Sequence, residues 1–373
     1  MEAIQQLLAW AKVHGVVIKG IGPKPLPGRG IGIVATRNLK AKEDILTVPA
    51  ALLRCIGNTP RAIIRNLKGA TVHAILATSL CVDPSPDLAL WRAVLPTEDD
   101  ITTSMPLSWP PGLQQLLPPA ARALLDKQAT KFARDWARVS AAYPSLTREA
   151  YLYAWHLVNS RSFYHTTRAT EKKLPSEDHM VLQPVADLFN HSPDGCSVSF
   201  DEDRYTITTG TSYEKGDELF IRYGSHSNDF LLVEYGFTLP SGMNKWDEIS
   251  LDPYMSSLFS PRRKRTLQEA GFWGEYMLDS ETACYRTQTA LRLLCLPEAT
   301  WRAVLDGQRD ENEDAEAVDK ELLKVLRRCE KDIKSKVMDL DRCMAGNEEM
   351  ASSLRRRWLQ MKELVVTTMA RLQ

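Results

Sequence analysis

Asp187-Leu188-Phe189-Asn190-His191-Ser192 is a polar stretch set in apolar surroundings, with Val185-Ala186 before it and the turn signal Ser192-Pro193-Asp194-Gly195 closing it. Beyond the turn, residues 197–200, 205–208 and 218–223 alternate apolar and polar positions and are rich in β-branched and aromatic side chains. They predict short strands. Asn190 and His191 are therefore expected where the chain leaves one element for a turn, a place that presents side chains and backbone groups to a ligand. Two further signals follow, Tyr223-Gly224 and Tyr235-Gly236-Phe237, bracketing Ser227-Asn228-Asp229 and an apolar run.

Working outward, Ile4, Leu7, Leu8 and Ala11 share one face of a predicted helix over 3–14. The Pro- and Gly-rich stretch 23–30 cannot be helical. Residues 31–35 and 45–49 read as strands around the polar turn 40–44. The pattern 35–46 is echoed by 210–219, and both read as hairpins. From about residue 58 the pattern turns helical, over 63–67, 72–80, 88–95 and 120–142, with Pro-rich breaks at 84–86 and 106–111. Thr147 is placed to cap a helix over 148–162. Past Phe237 strand signals largely stop, and helices are predicted over 262–270, 282–296, 317–339 and 353–372. The acidic run 310–314 reads as an exposed loop. The expected domains are a lead-in (1–25), a first β segment (26–57), a helical insertion (58–146), a second β segment with the motifs (147–249) and a helical domain (250–373).

Composition narrows the function classes. The 373 residues suit two or three domains, and 44% hydrophobic content suffices for a sizeable core. Lys plus Arg equals Asp plus Glu at 47 each, which gives no footprint of a general nucleic-acid binder or a polybasic membrane anchor. No apolar run reaches membrane-spanning length. The seven cysteines include no C-x-x-C pair, which argues for reduced thiols and against a structural zinc. With no signal or transit pattern at the start, a cytoplasmic or nuclear home is expected.

Each candidate residue also has a plain structural reading. Gly30-Ile31-Gly32-Ile33-Val34-Ala35 formally fits the dinucleotide pattern G-x-G-x-x-A. Its context refuses that reading: a Pro-rich stretch precedes it, a strand follows where a helix is required, and residues 50–55 hold no acidic ribose partner. Arg161 alone reads as a helix-end cation and Phe163 as core. An Asn-His at a turn is most often a local hydrogen-bonding pair, His191 with Cys196 is too few ligands for a metal, and buried tyrosines are usually core.

Taken together, Asn-His-Ser, an apolar strand ending in Tyr-Gly, then Ser227-Asn228 and Tyr-Gly-Phe, in that order, resemble the SET-domain protein methyltransferases. The likeness is closest to the branch typified by the Rubisco large-subunit lysine methyltransferase, and it spans roughly residues 26–237. The resemblance implies an α+β fold: a SET-type β-clip of short strands with a pseudoknot, a helical insertion and an all-α C-terminal domain that helps hold the protein substrate. It implies S-adenosyl-L-methionine as cofactor. The loop Arg29, Gly30, Ile31 would pack on the methionine part, although branch members often have Glu where this chain has Arg29. Ser160 and Arg161 would lie beside the cofactor. Asn190 and His191 backbone groups would bind the adenine edge, the Asn190 side chain the amino group, and Asp187 would brace the turn. Phe237 would pack near the adenine or the pocket wall. Phe163 and Tyr235 would wall the lysine channel, with Tyr223 and Tyr235 as the chemical candidates.

The implied reaction is direct, in-line methyl transfer to a deprotonated lysine. The histidine-methylating relative has Asn at the Phe163 position, so Phe163 favours lysine. The missing cysteine-rich cluster points to a non-histone substrate, a ribosomal protein or translation factor among the candidates, with a monomeric enzyme expected. A histidine methyltransferase of the same fold and a non-catalytic peptide-binding module are the competing readings.

Overall fold

The computed structural model describes residues 2–168 and 170–373, so Met1 of the expected lead-in lies outside it. The chain begins with α1 (Glu2–Val13), β1 (Val17–Ile18), β2 (Ile21–Leu26), β3 (Gly30–Ala35) and β4 (Asp44–Pro49). Helices follow as α2 (Arg61–Asn66), α3 (Val72–Val82), α4 (Pro86–Arg92), α5 (Glu98–Ser104), α6 (Pro111–Gln114), α7 (Pro119–Ala142) and α8 (Arg148–Arg161). Then come β5 (Ser162–Tyr164), β6 (Met180–Leu182), β7 (Asn190–Phe200), β8 (Arg204–Thr208), β9 (Glu218–Ile221) and α9 (Asn228–Tyr235). The rest is β10 (Glu248–Ser250), α10 (Asp252–Met255), α11 (Pro261–Glu269), β11 (Met277–Asp279), α12 (Tyr285–Cys295), α13 (Glu298–Leu305), α14 (Ala315–Arg342) and α15 (Glu348–Arg371). Two compact units emerge, one from residues 1–102 and 127–225, the other from 103–126 and 226–373. Residues 103–126 of the expected insertion thus group with the C-terminal helices.

The first unit is built on a seven-stranded sheet of order β1-β4-β8-β7-β9-β3-β2. The Pro-rich stretch ahead of Gly30 is a strand: β2 pairs with β3 from Ile21↔Ala35 to Leu26↔Gly30. Its prolines sit on the sheet edge, where a missing N–H costs no ladder bond. The dinucleotide motif thus follows a strand but itself forms β3, where the nucleotide reading requires a turn into a helix.

The two echoed segments are not hairpins. β3 pairs with β2 and β9, while β4 pairs with β1 and β8. The connections instead run against each other. Leu39 and Tyr213 exchange backbone bonds of 2.9 and 3.0 Å, and Lys42 N–H donates to the Thr209 carbonyl at 2.9 Å. Ala35 N–H donates to Asp217 O, and Gly216 N–H to Ala35 O, both at 2.9 Å. Strand–turn–strand patterning is the same for a hairpin and for two connections that cross, so periodicity could not separate them.

The expected turn at 192–195 is likewise an irregularity inside β7. Asn190 and His191 open that strand, parallel to β9 at Phe220 and Ile221, and Cys196 meets Ile221 again. Residues 197–200 then pair antiparallel with β8. Gly195 makes the double contact possible: a Cβ there would stand 2.7 Å from the backbone of Phe220 and Ile221.

Behind the sheet, α3 is apolar nearly all round and is buried along most of its length, as a core helix should be. It packs on α8, where His73 stacks on Trp155 at 4.2 Å and bonds its carbonyl at 2.9 Å. Thr147 caps α8 as expected, accepting from Ala150 N–H.

In the second unit α11, α12, α14 and α15 stand where helices are predicted, while α9, α13 and the β10–β11 pair are additions. Residues 310–313 of the acidic run are exposed, as expected, but the segment is wound rather than open. It forms a 3-10 turn whose Asp314 is buried against Arg309, with bonds of 2.9 and 3.2 Å. The core includes Leu232, Trp301, Leu326, Leu354 and Trp358. Arg357, fully buried, donates to Asp229 and Asp247 at 2.8 Å and to the Glu248 carbonyl at 3.2 Å. Burial alone would lower this guanidinium's pKa, but the two carboxylates outweigh it and hold it raised. Asn228 bonds Gln360 at 3.0 Å and Asp247 at 2.8 Å, so α9 is bolted to α15.

Two substitutions test these contacts by denaturant unfolding. Gly195→Ala forces backbone apart and should cost about 1–3 kcal/mol, the usual range for overpacking. Arg357→Ala strands the buried Asp229 and the partly covered Asp247 and should cost about 3–5 kcal/mol.

Candidate active site

The site's residues meet where β7 enters the sheet. Before it, Val185 takes a left-handed conformation (φ 78°) although β-branched and buried, a strained geometry that marks functional turns more often than ordinary ones. The chain then forms a 3-10 turn over Ala186–Leu188. Asp187 is fully enclosed: its Oδ2 accepts from Trp91 Nε1 at 2.9 Å and its carbonyl from Arg161 Nη1 at 2.7 Å. Burial pushes this carboxyl's pKa up, partly offset by the Arg161 charge and the Trp91 bond. Asp187 is thus tied to α4 through Trp91 and to the end of α8 through Arg161.

Asn190 and His191 face β9. The Asn190 amide donates to Glu218 Oε1 at 2.8 Å. His191 Nδ1 accepts from the Tyr223 backbone N–H at 3.1 Å, which places the proton of a neutral ring on Nε2. The rings of His191 and Tyr223 lie 5.1 Å apart. The Tyr223 hydroxyl donates to the Phe189 carbonyl at 2.7 Å, one residue from Asn190. Across β3, Arg29 reaches Glu218 Oε2 at 2.7 Å. Gly30 has φ 68° with open space where a side chain would stand, and Ile31 is in the ladder opposite Pro25.

The other predicted residues have partners of their own. Ser160 shares the last turn of α8 with Arg161, but its hydroxyl donates to the His156 carbonyl at 2.9 Å. Phe163, on β5, sets its ring edge-on to Tyr205 at 6.2 Å. Tyr235 ends α9 and Phe237 follows it in the second unit, their rings 6.3 Å apart. Burial raises the Tyr235 hydroxyl to about 12. Glu218 and Trp91 were not singled out from sequence. The signal for Glu218 was an acid at the head of an otherwise apolar strand; Trp91 had none, its partner being 96 residues away.

Arg161 Nε and Asp187 Oδ1 are buried without a hydrogen-bond partner. Buried polar atoms left unmatched are rare and call for an explanation, a polar ligand among them. Among the described residues, no group of three or more His, Cys, Asp or Glu could hold a metal, and no helix is long and apolar enough to cross a membrane.

Residues 30–224 match the SET domain family, and residues 247–371 match the family described as the ribosomal lysine N-methyltransferase 2 C-terminal domain. The chain is 31% identical to the ribosomal lysine N-methyltransferase set11 of Schizosaccharomyces pombe, over 87% of each chain. It is 28% identical to human SET domain-containing protein 4, over 81% of this chain and 75% of that one. Among solved structures, the SET domain of LSMT bound to lysine and AdoHcy shares the fold (TM-score 0.67, 16% identity, 100% of this chain and 91% of that one). The chain belongs to the SET-domain family of S-adenosylmethionine-dependent protein methyltransferases.

Trp91→Phe removes a donor from the buried Asp187 carboxylate and should destabilise the fold by about 1–3 kcal/mol at pH 8. Because the folded pKa lies above the unfolded value, the folded state binds more protons between the two, and this carboxyl's unfavourable effect grows as pH rises through that window. The Trp91→Phe loss should therefore shrink at pH 4, as read by denaturant unfolding at the two pH values.

Proposed function

We propose that this protein methylates a lysine ε-amine on a non-histone protein, a ribosomal protein foremost, using S-adenosylmethionine bound around Asn190. The observation that carries the reading is the hydroxyl of Tyr223 anchored on Phe189, beside the Asn190 amide. The similarity to a ribosomal lysine N-methyltransferase along most of both chains supports the substrate class.

When bound, the cofactor supplies a methyl carbon made electrophilic by its sulfonium. The chain's own groups do the rest. Tyr223 commits its one proton to the Phe189 carbonyl, so its oxygen can act further only as an acceptor. It thereby accepts weak C–H bonds from the polarised methyl and orients the incoming amine. It is no base at neutral pH, since a phenol's pKa is about 10. The amine must arrive uncharged, and lysine's pKa of about 10.4 opposes that. Aromatic surroundings such as Phe163 and the neighbouring positive charge both disfavour the ammonium form. Asn190 and Arg161 hold and align the cofactor, and alignment is most of what such a transfer needs.

Incubation with isotopically labelled S-adenosylmethionine and ribosomal fractions, followed by mass spectrometry, should place label on lysine. Label on histidine would replace the acceptor assigned here. Tyr223→Phe should lower turnover by on the order of a hundredfold or more, the scale of one lost transition-state contact, with cofactor affinity kept. Asn190→Ala should weaken cofactor binding in calorimetry, and unchanged affinity would remove its role.

A further inference from the structure

Positive and negative charges balance over the whole chain but not along α11. Its first turns read Pro261-Arg262-Arg263-Lys264-Arg265, four consecutive cations behind the cap Ser260. Stability does not account for them. The N-terminal end of a helix already carries partial positive charge, so cations there oppose the dipole and one another. Leu267, fully buried, holds one side of α11 in the core of the second unit. Arg262, Lys264 and Arg265 are exposed, the Arg262 side chain to 82%. Among the described residues, neither Lys264 nor Arg265 forms an ion pair.

Aromatic rings are interleaved with these charges. Lys264 Nζ lies 4.9 Å from the centre of the Trp273 ring. Next to it in the chain, Phe272 has the Arg286 guanidinium 5.9 Å from its ring centre and Tyr285 edge-on at 6.0 Å. Tyr285 opens α12 and is 52% exposed. Arg302 on α13 joins the same surface through Glu298, which pairs with it at 3.0 Å and with Arg262 at 3.4 Å. The acid between these two arginines is therefore outnumbered.

A partner for this face needs closely repeated negative charge and flat apolar faces. Single-stranded nucleic acid has both, a phosphate at every residue and unpaired bases that stack on aromatic side chains. A lipid surface calls for an apolar helix face to insert, and that of α11 is spent in the core. An acidic peptide satisfies the cations and leaves Tyr285 unused. We infer that the face formed by α11, Phe272–Trp273 and the start of α12 binds single-stranded RNA without sequence preference. Arg262, Lys264 and Arg265 contact phosphates, and a base stacks on Tyr285. The choice of RNA over DNA rests on the proposed ribosomal substrate; the contact tethers the enzyme to RNA that accompanies that substrate.

Fluorescence anisotropy of the full chain with a labelled polyuridine of about 20 nucleotides tests this, the length covering one binding site. Each variant is first shown to melt cooperatively. Wild type should bind with Kd in the range of about 1–100 µM at physiological salt, and affinity should fall as salt rises. Arg262→Gln/Lys264→Gln/Arg265→Gln should weaken binding by on the order of tenfold or more and flatten the log–log salt slope by about 2, the share of three phosphate contacts. Tyr285→Ala should cost roughly fivefold or more with the slope unchanged, as a lost stack does. Lys320→Gln/Lys324→Gln/Lys334→Gln removes the same charge from exposed positions on α14 and should stay within about twofold, because distant charges are screened. Absent RNA binding, equal losses in the two triple variants, or an indifferent Tyr285→Ala overturns the inference. So does displacement of the RNA by polyglutamate or phosphatidylserine vesicles at matched charge, or tighter binding of single-stranded DNA. Methylation of ribosomal fractions reports separately. Label on ribosomal lysine with no RNA bound overturns this inference alone, while RNA bound at α11 with no ribosomal label supports the surface and overturns the substrate reading.

Discussion

Two strands running in the same direction cannot be joined by a tight turn; the chain between them must cross over. That constraint shapes the first unit, because β7 enters the sheet parallel to β9 at Asn190–His191 and leaves it antiparallel to β8. The parallel contact sets residues 187–191 beside 218–223. The Asn190–Glu218 bond, the His191–Tyr223 bond and the Tyr223–Phe189 bond all cross this one seam. Gly195 is what lets the seam close, since backbone occupies the space a side chain would need.

Buried charge is used in two different ways in the two units. Arg357 in the helical unit gives its Nε and both terminal nitrogens to acceptors, two of them carboxylates. Nothing at that arginine calls for a further partner, and its work is to hold α9 against α15. Arg161 in the sheet unit is also largely covered, yet its Nε is unmatched, as is the Oδ1 of Asp187 beside it. A protein interior rarely leaves such groups alone without a reason. The contrast is between an arginine whose donors are all matched and one with a donor left over.

The candidate residues stood out in the sequence because they cluster in short motifs with a fixed order, and the structure brings Asn190, His191 and Tyr223 together. So were the long helices of the C-terminal unit, whose apolar positions repeat every three or four residues. The strand partners were not. Local alternation says that 31–35 and 45–49 are strands, but it carries no information on whom they pair with. Pro23 and Pro25 hid an edge strand, and the turn residues at 192–195 hid a kink inside one. Glu218 and Trp91 escaped notice because their significance lies in partners 28 and 96 residues away. Asp314 escaped because its burial comes from packing that an acidic run does not advertise.

The crossing of 35–43 over 209–217 also has a bearing on how the molecule is made. Glu43 N–H donates to the Thr209 hydroxyl, a partner 166 residues further along, and β3 and β4 can complete their ladders only with β9 and β8. During synthesis β3 and β4 must leave the ribosome with one edge each still unpaired, while a whole set of helices is translated before the matching strands exist. Such unpaired edges are templates for misassociation. Closing the sheet therefore requires long-range pairings, the kind that slow folding.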